Sequence, residues 1–129
     1  MRRKINIIGC GRAAGSLARL WMQGEAFEVG GILNRSLASA EAAAQSTGGG
    51  QAVQSLHEMP AADYWLIGTT DQEIEKVAEA LAKSDLELGG CLVFHLAGRF
   101  GLDVLQPLSA RKAEIAALHP VRSLTHAQL

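Results

Sequence analysis

The chain has 129 residues, 48% hydrophobic and 19% charged, the balance of a soluble globular protein and a length that suits one domain rather than two. Twelve Lys and Arg against 13 Asp and Glu leave a formal charge of −1, and aromatic residues make up only 5%. With no basic field for a phosphate backbone and few rings for base stacking, a primary role on nucleic acid is disfavoured. Cys10 and Cys91 lie far apart and form no CxxC or Cys/His cluster, which argues against a metal site and against a disulfide scaffold. The apolar run at residues 5–8 breaks at Gly9, too short for a signal sequence or a membrane span. The expected setting is a reducing, cytoplasmic compartment, with no membrane contact.

In chain order, residues 4–8 are a β-branched run that ends in Gly9-Cys10-Gly11, a buried strand feeding a tight turn. Residues 12–23 carry Leu17, Leu20 and Trp21 at helical spacing, and Gly24 stops that helix. Phe27 to Leu33 is a second strand, weakened by Gly30-Gly31, and an Ala-rich helix runs from about Ser36 to Thr47, ahead of Gly48-Gly49-Gly50. Residues 51–53 form a very short third strand, followed by a loop around residues 55–60. Tyr64 to Gly68 is the fourth strand. Thr70 and Glu73 have the spacing of a reciprocal capping box, ahead of the stripe Ile74, Val77, Ala78 and Leu81. Residues 91–96 make the fifth strand, Asp103 caps a short helix, and residues 115–118 make a sixth strand ended by His119-Pro120. This alternation predicts a doubly wound, mostly parallel six-stranded sheet in three α/β/α layers.

Gly9-Cys10-Gly11-Arg12-Ala13-Ala14-Gly15 then acquires a mechanism, because a GxGxxA/G run between a strand and a helix is the dinucleotide fingerprint of the Rossmann fold. Gly9 permits the turn, Gly11 admits a pyrophosphate to the backbone, and Ala14 or Gly15 lets the helix pack close to the sheet. The anion lies on the first amides of the helix. Without a ligand, the same run would be a small-residue strand–helix turn. Asn34 lies 19 positions beyond Gly15, where NAD sites place an acid that accepts from the adenosine ribose. Asn34-Arg35-Ser36 instead leaves Arg35 to pair with a 2′-phosphate and Ser36 to donate beside it, which favours NADP over NAD. Ser36 could equally serve only as a helix cap. The missing acid also argues against a methyltransferase.

Thr69, Thr70 and Asp71 follow strand four at the switch point between strands one and four. There they either line the cofactor or cap the next helix. His95 and His119 sit at the carboxyl ends of strands. His95 is a candidate on the substrate side, against the alternative of a histidine bonded to a neighbouring loop. His57 and His126 fall in loop and tail. Cys10, at a helix N-terminus, would have a lowered pKa, or be a small filler of the turn. Trp21 and Trp65 follow apolar periodicity and belong to the core, or to a dimer surface. No paired carboxylates, Ser/His/Asp spacing or metal-ligand set stands out.

Together the fingerprint, Asn34-Arg35-Ser36, Thr70-Asp71, His95-Leu96-Ala97-Gly98 and His119-Pro120 resemble a Rossmann-like NADP-binding oxidoreductase family. Its members carry a helical C-terminal domain of unknown function, and it is similar to pyrroline-5-carboxylate reductases and to F420-dependent NADP reductases of the 6-phosphogluconate-dehydrogenase-like superfamily. The resemblance implies that Gly9, Gly11, Arg12 and Ala13 contact pyrophosphate and that Asn34, Arg35 and Ser36 contact the 2′-phosphate. Thr69 and Thr70 would lie along the cofactor, with His95 and Ala97 nearer the nicotinamide. The family's rim carries Val/Ala-Pro-Asp where this chain has Thr69-Thr70-Asp71, and Ser-Gly-Ala where it has Ala97-Gly98-Arg99. Residues 1–120 are expected to form the dinucleotide-binding domain and 121–129 a tail leading to an absent second domain.

Two functions follow as expectations. One is an NADP-dependent oxidoreductase, or its cofactor-binding domain, moving hydride to or from a small carbonyl or imine. The other is a non-catalytic nucleotide-binding module, a redox sensor or an assembly subunit. An enzyme complete in itself at this size is expected to form a homodimer.

Overall fold

A computed structural model describes residues 3–24, 27–96 and 101–117, with residues 12 and 13 as backbone only. Six parallel strands, β1 (Arg3–Ile8), β2 (Phe27–Leu33), β3 (Gln51–Val53), β4 (Tyr64–Ile67), β5 (Leu92–His95) and β6 (Glu114–Ala117), form one sheet in the order β3-β2-β1-β4-β5-β6. Among the described residues three α-helices accompany it: α1 (Arg12–Gln23), α2 (Leu37–Thr47) and α3 (Ile74–Lys83). The strand order reverses between β1 and β4, which opens a crevice at their carboxyl ends. The doubly wound reading of the sequence therefore holds.

The apolar residues divide between the two faces of the sheet. Ile5, Ile7, Val29, Ile32, Leu66 and Phe94 pack with Ala14 and Ala18 of α1 and Ala40 of α2. Ile8, Val53, Trp65, Ile67 and Val93 pack on the other face with Ile74, Ala78 and Leu81 of α3 and with Leu105 and Leu108. Small residues dominate the α1 and α2 contacts, so those helices lie close to β1 and β2 and bring their N-termini to the crevice. Trp65 is core. Trp21 is only partly buried, edge-on to Phe27 at 5.1 Å and to Phe94 at 6.2 Å.

Four local expectations change. The connection at residues 54–63 carries a 3-10 turn (Leu56–Glu58) closed by a capping box from Ser55 and Glu58, where the sequence reads as plain loop. Thr70 forms no capping box, because the chain enters a 3-10 turn (Asp71–Glu73) before α3 and the Thr70 side chain caps no amide. The segment Asp103–Arg111 is 3-10, with Leu102 rather than Asp103 at its N-cap; Pro107 lies within it and has no amide to donate. Gly30-Gly31 marks a bulge rather than a weak strand, since pairing steps from Ile5 with Val29 to Ile7 with Ile32. Buried Asn6 fills the gap, accepting from Gly31 N at 2.8 Å and donating to Pro60 O at 2.8 Å. A β-carbon on Gly30 would stand 2.5 Å from Asn6 Oδ1, and one on Gly31 2.5 Å from Met59 Sδ.

Candidate functional site: a cleft at the sheet's switch point

The carboxyl ends of β1, β2 and β4 are drawn together by backbone bonds, Gly9 N donating to Leu33 O and Gly68 N to Ile8 O, both at 2.8 Å. Gly9 adopts φ +82°, and a β-carbon there would lie 2.5 Å from Thr69 Cγ2. Only glycine meets both demands. Opposite it, a β-carbon on Gly68 would lie 2.6 Å from Gly9 O and 2.9 Å from Ala14 Cβ. The close helix–sheet contact is therefore made at Ala14 rather than Gly15.

These contacts open a cleft of about 520 Å³ above the sheet. Among the described residues its lining includes Gly9, Cys10 and Gly11 of the turn, Asn34, Arg35 and Ser39 beyond β2, and Gln54 and Ser55 beyond β3. Thr69, Thr70, Glu73 and Val77 line it from the β4 side. Of the expected site residues, Gly9, Gly11, Asn34, Arg35, Thr69 and Thr70 meet there. Ser36 is not in the lining; its Oγ accepts from Ser39 N at 3.1 Å and caps α2. The backbone of Arg12 and Ala13 forms the first turn of α1, where the amides have no intrahelical partner to reach. Ala97 and His119 lie outside the described residues, as does His126.

His95 is fully buried, and its Nε2 sits 2.8 Å from Gly101 O. It is tied to the following loop and is not among the cleft residues. His57 is exposed, with Nδ1 3.1 Å from Ser55 Oγ. Burial raises the Cys10 thiol pKa, which fits the small filler of the turn and not a thiol of lowered pKa. Cys91 is likewise raised, by burial first and then by the Asp63 carboxylate.

Three features fit the cleft to a dinucleotide. A β-carbon on Gly11 would meet no described residue within 4 Å, so the turn presents bare backbone to the cleft. Among the described residues, buried Thr69 Oγ1 has no hydrogen-bond partner, a polar atom left for a group that enters the cleft. Arg35, exposed at the mouth, adds a cation beside the N-terminus of α2.

Sequence reasoning missed Ser39, Gln54, Ser55 and Glu73. Ser39 lies one helical turn beyond Arg35 and was legible as a neighbour of it. Gln54 carries no motif and Ser55 only the capping-box spacing to Glu58; both reach the cleft through the sheet order.

The fold and the cleft are those of a nucleotide-binding α/β domain, and the chain belongs to the Rossmann-like domain family, which it matches over residues 1–120. Among solved structures it is similar to a protein described as an NADP oxidoreductase from Bacteroides fragilis, with a TM-score of 0.67 and 13% identity over 98% of this chain and 64% of that one. A protein described as an NADPH-dependent oxidoreductase from Desulfitobacterium hafniense gives a TM-score of 0.75 and 14% identity over 95% of this chain and 36% of that one. Prephenate dehydrogenase from A. aeolicus, solved with hydroxyphenyl propionate and NAD+, gives 0.73 and 15% identity over 94% and 42%. This chain thus spans between 36% and 64% of these neighbours' length. A search of the curated proteins found no match.

Proposed function

We propose that the chain is the NADP(H)-binding domain of an oxidoreductase that moves a hydride to or from a small carbonyl or imine. The observation that carries this is the cleft at the β1/β4 switch point, where a bare glycine turn faces a β2 end that offers Arg35 and no carboxylate. The neighbours described above are two oxidoreductases and a dehydrogenase, with NADP, NADPH or NAD+ in their descriptions. They support a dinucleotide and leave the 2′-phosphate to be argued from residues 34–36.

In this reading the backbone of Gly9, Gly11, Arg12 and Ala13 receives the pyrophosphate at the positive end of α1. Arg35 pairs with the 2′-phosphate, with Asn34 and Ser36 beside it. Thr69 and Thr70 donate along the cofactor, and Ala97 borders its nicotinamide end. The nicotinamide cofactor supplies the hydride chemistry when bound, and this chain's residues bind and orient it. The free thiols Cys10 and Cys91 suit a reducing, cytoplasmic setting.

The test is a calorimetric titration with NADPH, then NADH, then NADPH against Arg35→Ala. Micromolar NADPH binding that weakens at least tenfold for NADH and for the variant supports the reading. If neither dinucleotide binds, the reading fails for this chain.

The burial of His95 and its bond to Gly101 O favour a second reading, a nucleotide-binding module without its own acid or base. A homodimer in sedimentation, two copies completing one cleft, is the outcome expected of an enzyme self-sufficient at this size and not of such a module.

A further inference from the structure

Ser39 stands at the third position of α2, exposed, and lines the cleft. Its amide donates to Ser36 Oγ at 3.1 Å. Its own oxygen accepts from Asn34 Nδ2 at 3.0 Å.

The direction of that last bond is forced. Asn34 Oδ1 accepts from Cys10 N at 2.7 Å, and a backbone amide can only donate. The carbonyl end of Asn34 must therefore face Cys10, which leaves the NH2 end facing Ser39. With one lone pair filled by that N–H, the Ser39 hydroxyl cannot turn its proton back toward Asn34. Among the described residues no acceptor takes that proton. Ser39 is thus held as an outward donor, on the same helix N-terminus that Arg35 flanks.

Resting on the NADP reading above, we propose that Ser39 is a specificity-determining donor to the adenosine 2′-phosphate, and that Asn34 is the positioning residue that sets its donor direction. Asn34 then acts indirectly, with its polar atoms turned to Cys10 and Ser39. An aspartate at 34 would keep an acceptor for Cys10 N, capture the Ser39 proton and add a charge that repels a phosphate. The absence of an acid at the end of β2 would thus do more than remove repulsion.

NADPH and NADH differ only at the 2′ position, so the ratio of their affinities isolates this contact. The full-length chain and its Ser39→Ala, Ser39→Thr and Asn34→Asp variants would each be titrated with both, with near-UV circular dichroism to confirm the fold. Ser39→Ala is expected to lose about tenfold in NADPH affinity with NADH unchanged, and Ser39→Thr to restore it. Asn34→Asp is expected to lose more than tenfold for NADPH and to hold NADH within about twofold.

A Ser39→Ala variant that weakens both dinucleotides alike, or keeps the wild-type preference, overturns the proposal. So does an Asn34→Asp variant that still prefers NADPH. A wild-type chain that binds neither dinucleotide, or binds both equally, overturns the NADP reading itself and this inference with it.

Discussion

Two glycines of one turn are under opposite constraints, and substitution separates them. Gly9 combines φ +82° with contact to Thr69 and Gly11 faces open space. Gly9→Ala is therefore expected to destabilise the fold by about 2–3 kcal/mol, from left-handed backbone and overlap together, read as a lower urea midpoint. Gly11→Ala should leave that midpoint within about 0.5 kcal/mol while weakening NADPH binding, because its β-carbon would point where the pyrophosphate is proposed to lie. Asn34, Arg35, Thr69 and Thr70 were readable as neighbours because a fingerprint and the strand ends fix their positions. The partners that Asn34 has chosen were not readable, since Cys10 lies 24 residues away. Of the two readings for Cys10 the small filler stands and the lowered pKa does not, because a helix N-terminus is visible in sequence whereas burial is not. Its raised pKa predicts alkylation by iodoacetamide that is slow at pH 7 and accelerates only above the usual thiol range, with saturating NADPH slowing it further.

Elements whose boundaries are set locally were predicted well. α1 and α2 start and stop where the turn glycines, Ser36 and Gly48 place them, since a cap acts within a few residues of its own position. Ser36→Ala removes the oxygen that accepts from Ser39 N and should lower stability by about 1 kcal/mol, measured by the same denaturation. The β2 bulge was illegible for the opposite reason. Gly30 and Gly31 are small because Asn6, Met59 and Pro60 lie over them; Asn6 is placed by the pairing of β1 with β2, and Met59 and Pro60 by the crossing from β3 to β4. Asn6→Leu would orphan both Gly31 N and Pro60 O while forcing a branched side chain into a buried site. A loss of about 3–5 kcal/mol is expected. A loss below about 1 kcal/mol would mean that the bulge does not depend on the amide.

At the scale of the whole molecule, the order β3-β2-β1-β4-β5-β6 follows from short β–α alternation, and it is this order that converts four separate chain segments into one cleft wall. Every lining segment follows a strand of the β3-β2-β1-β4 half or opens the helix after it. A dinucleotide bound there would consequently join the turn before α1 and the N-terminus of α2, already linked through Asn34, to the start of α3. Binding restricted to the folded chain stabilises it by mass action, about 2.7 kcal/mol at a hundredfold excess over Kd. For a domain of this size that corresponds to an increase in Tm of roughly 8–12 °C. Differential scanning fluorimetry with NADPH should show this rise, with a smaller one for NADH at equal concentration and Arg35→Ala reducing the NADPH response to the NADH level. A rise of equal size for both cofactors would assign the stabilisation to the pyrophosphate and adenosine alone. An Arg35→Ala response unchanged from wild type would place the 2′-phosphate away from the end of β2.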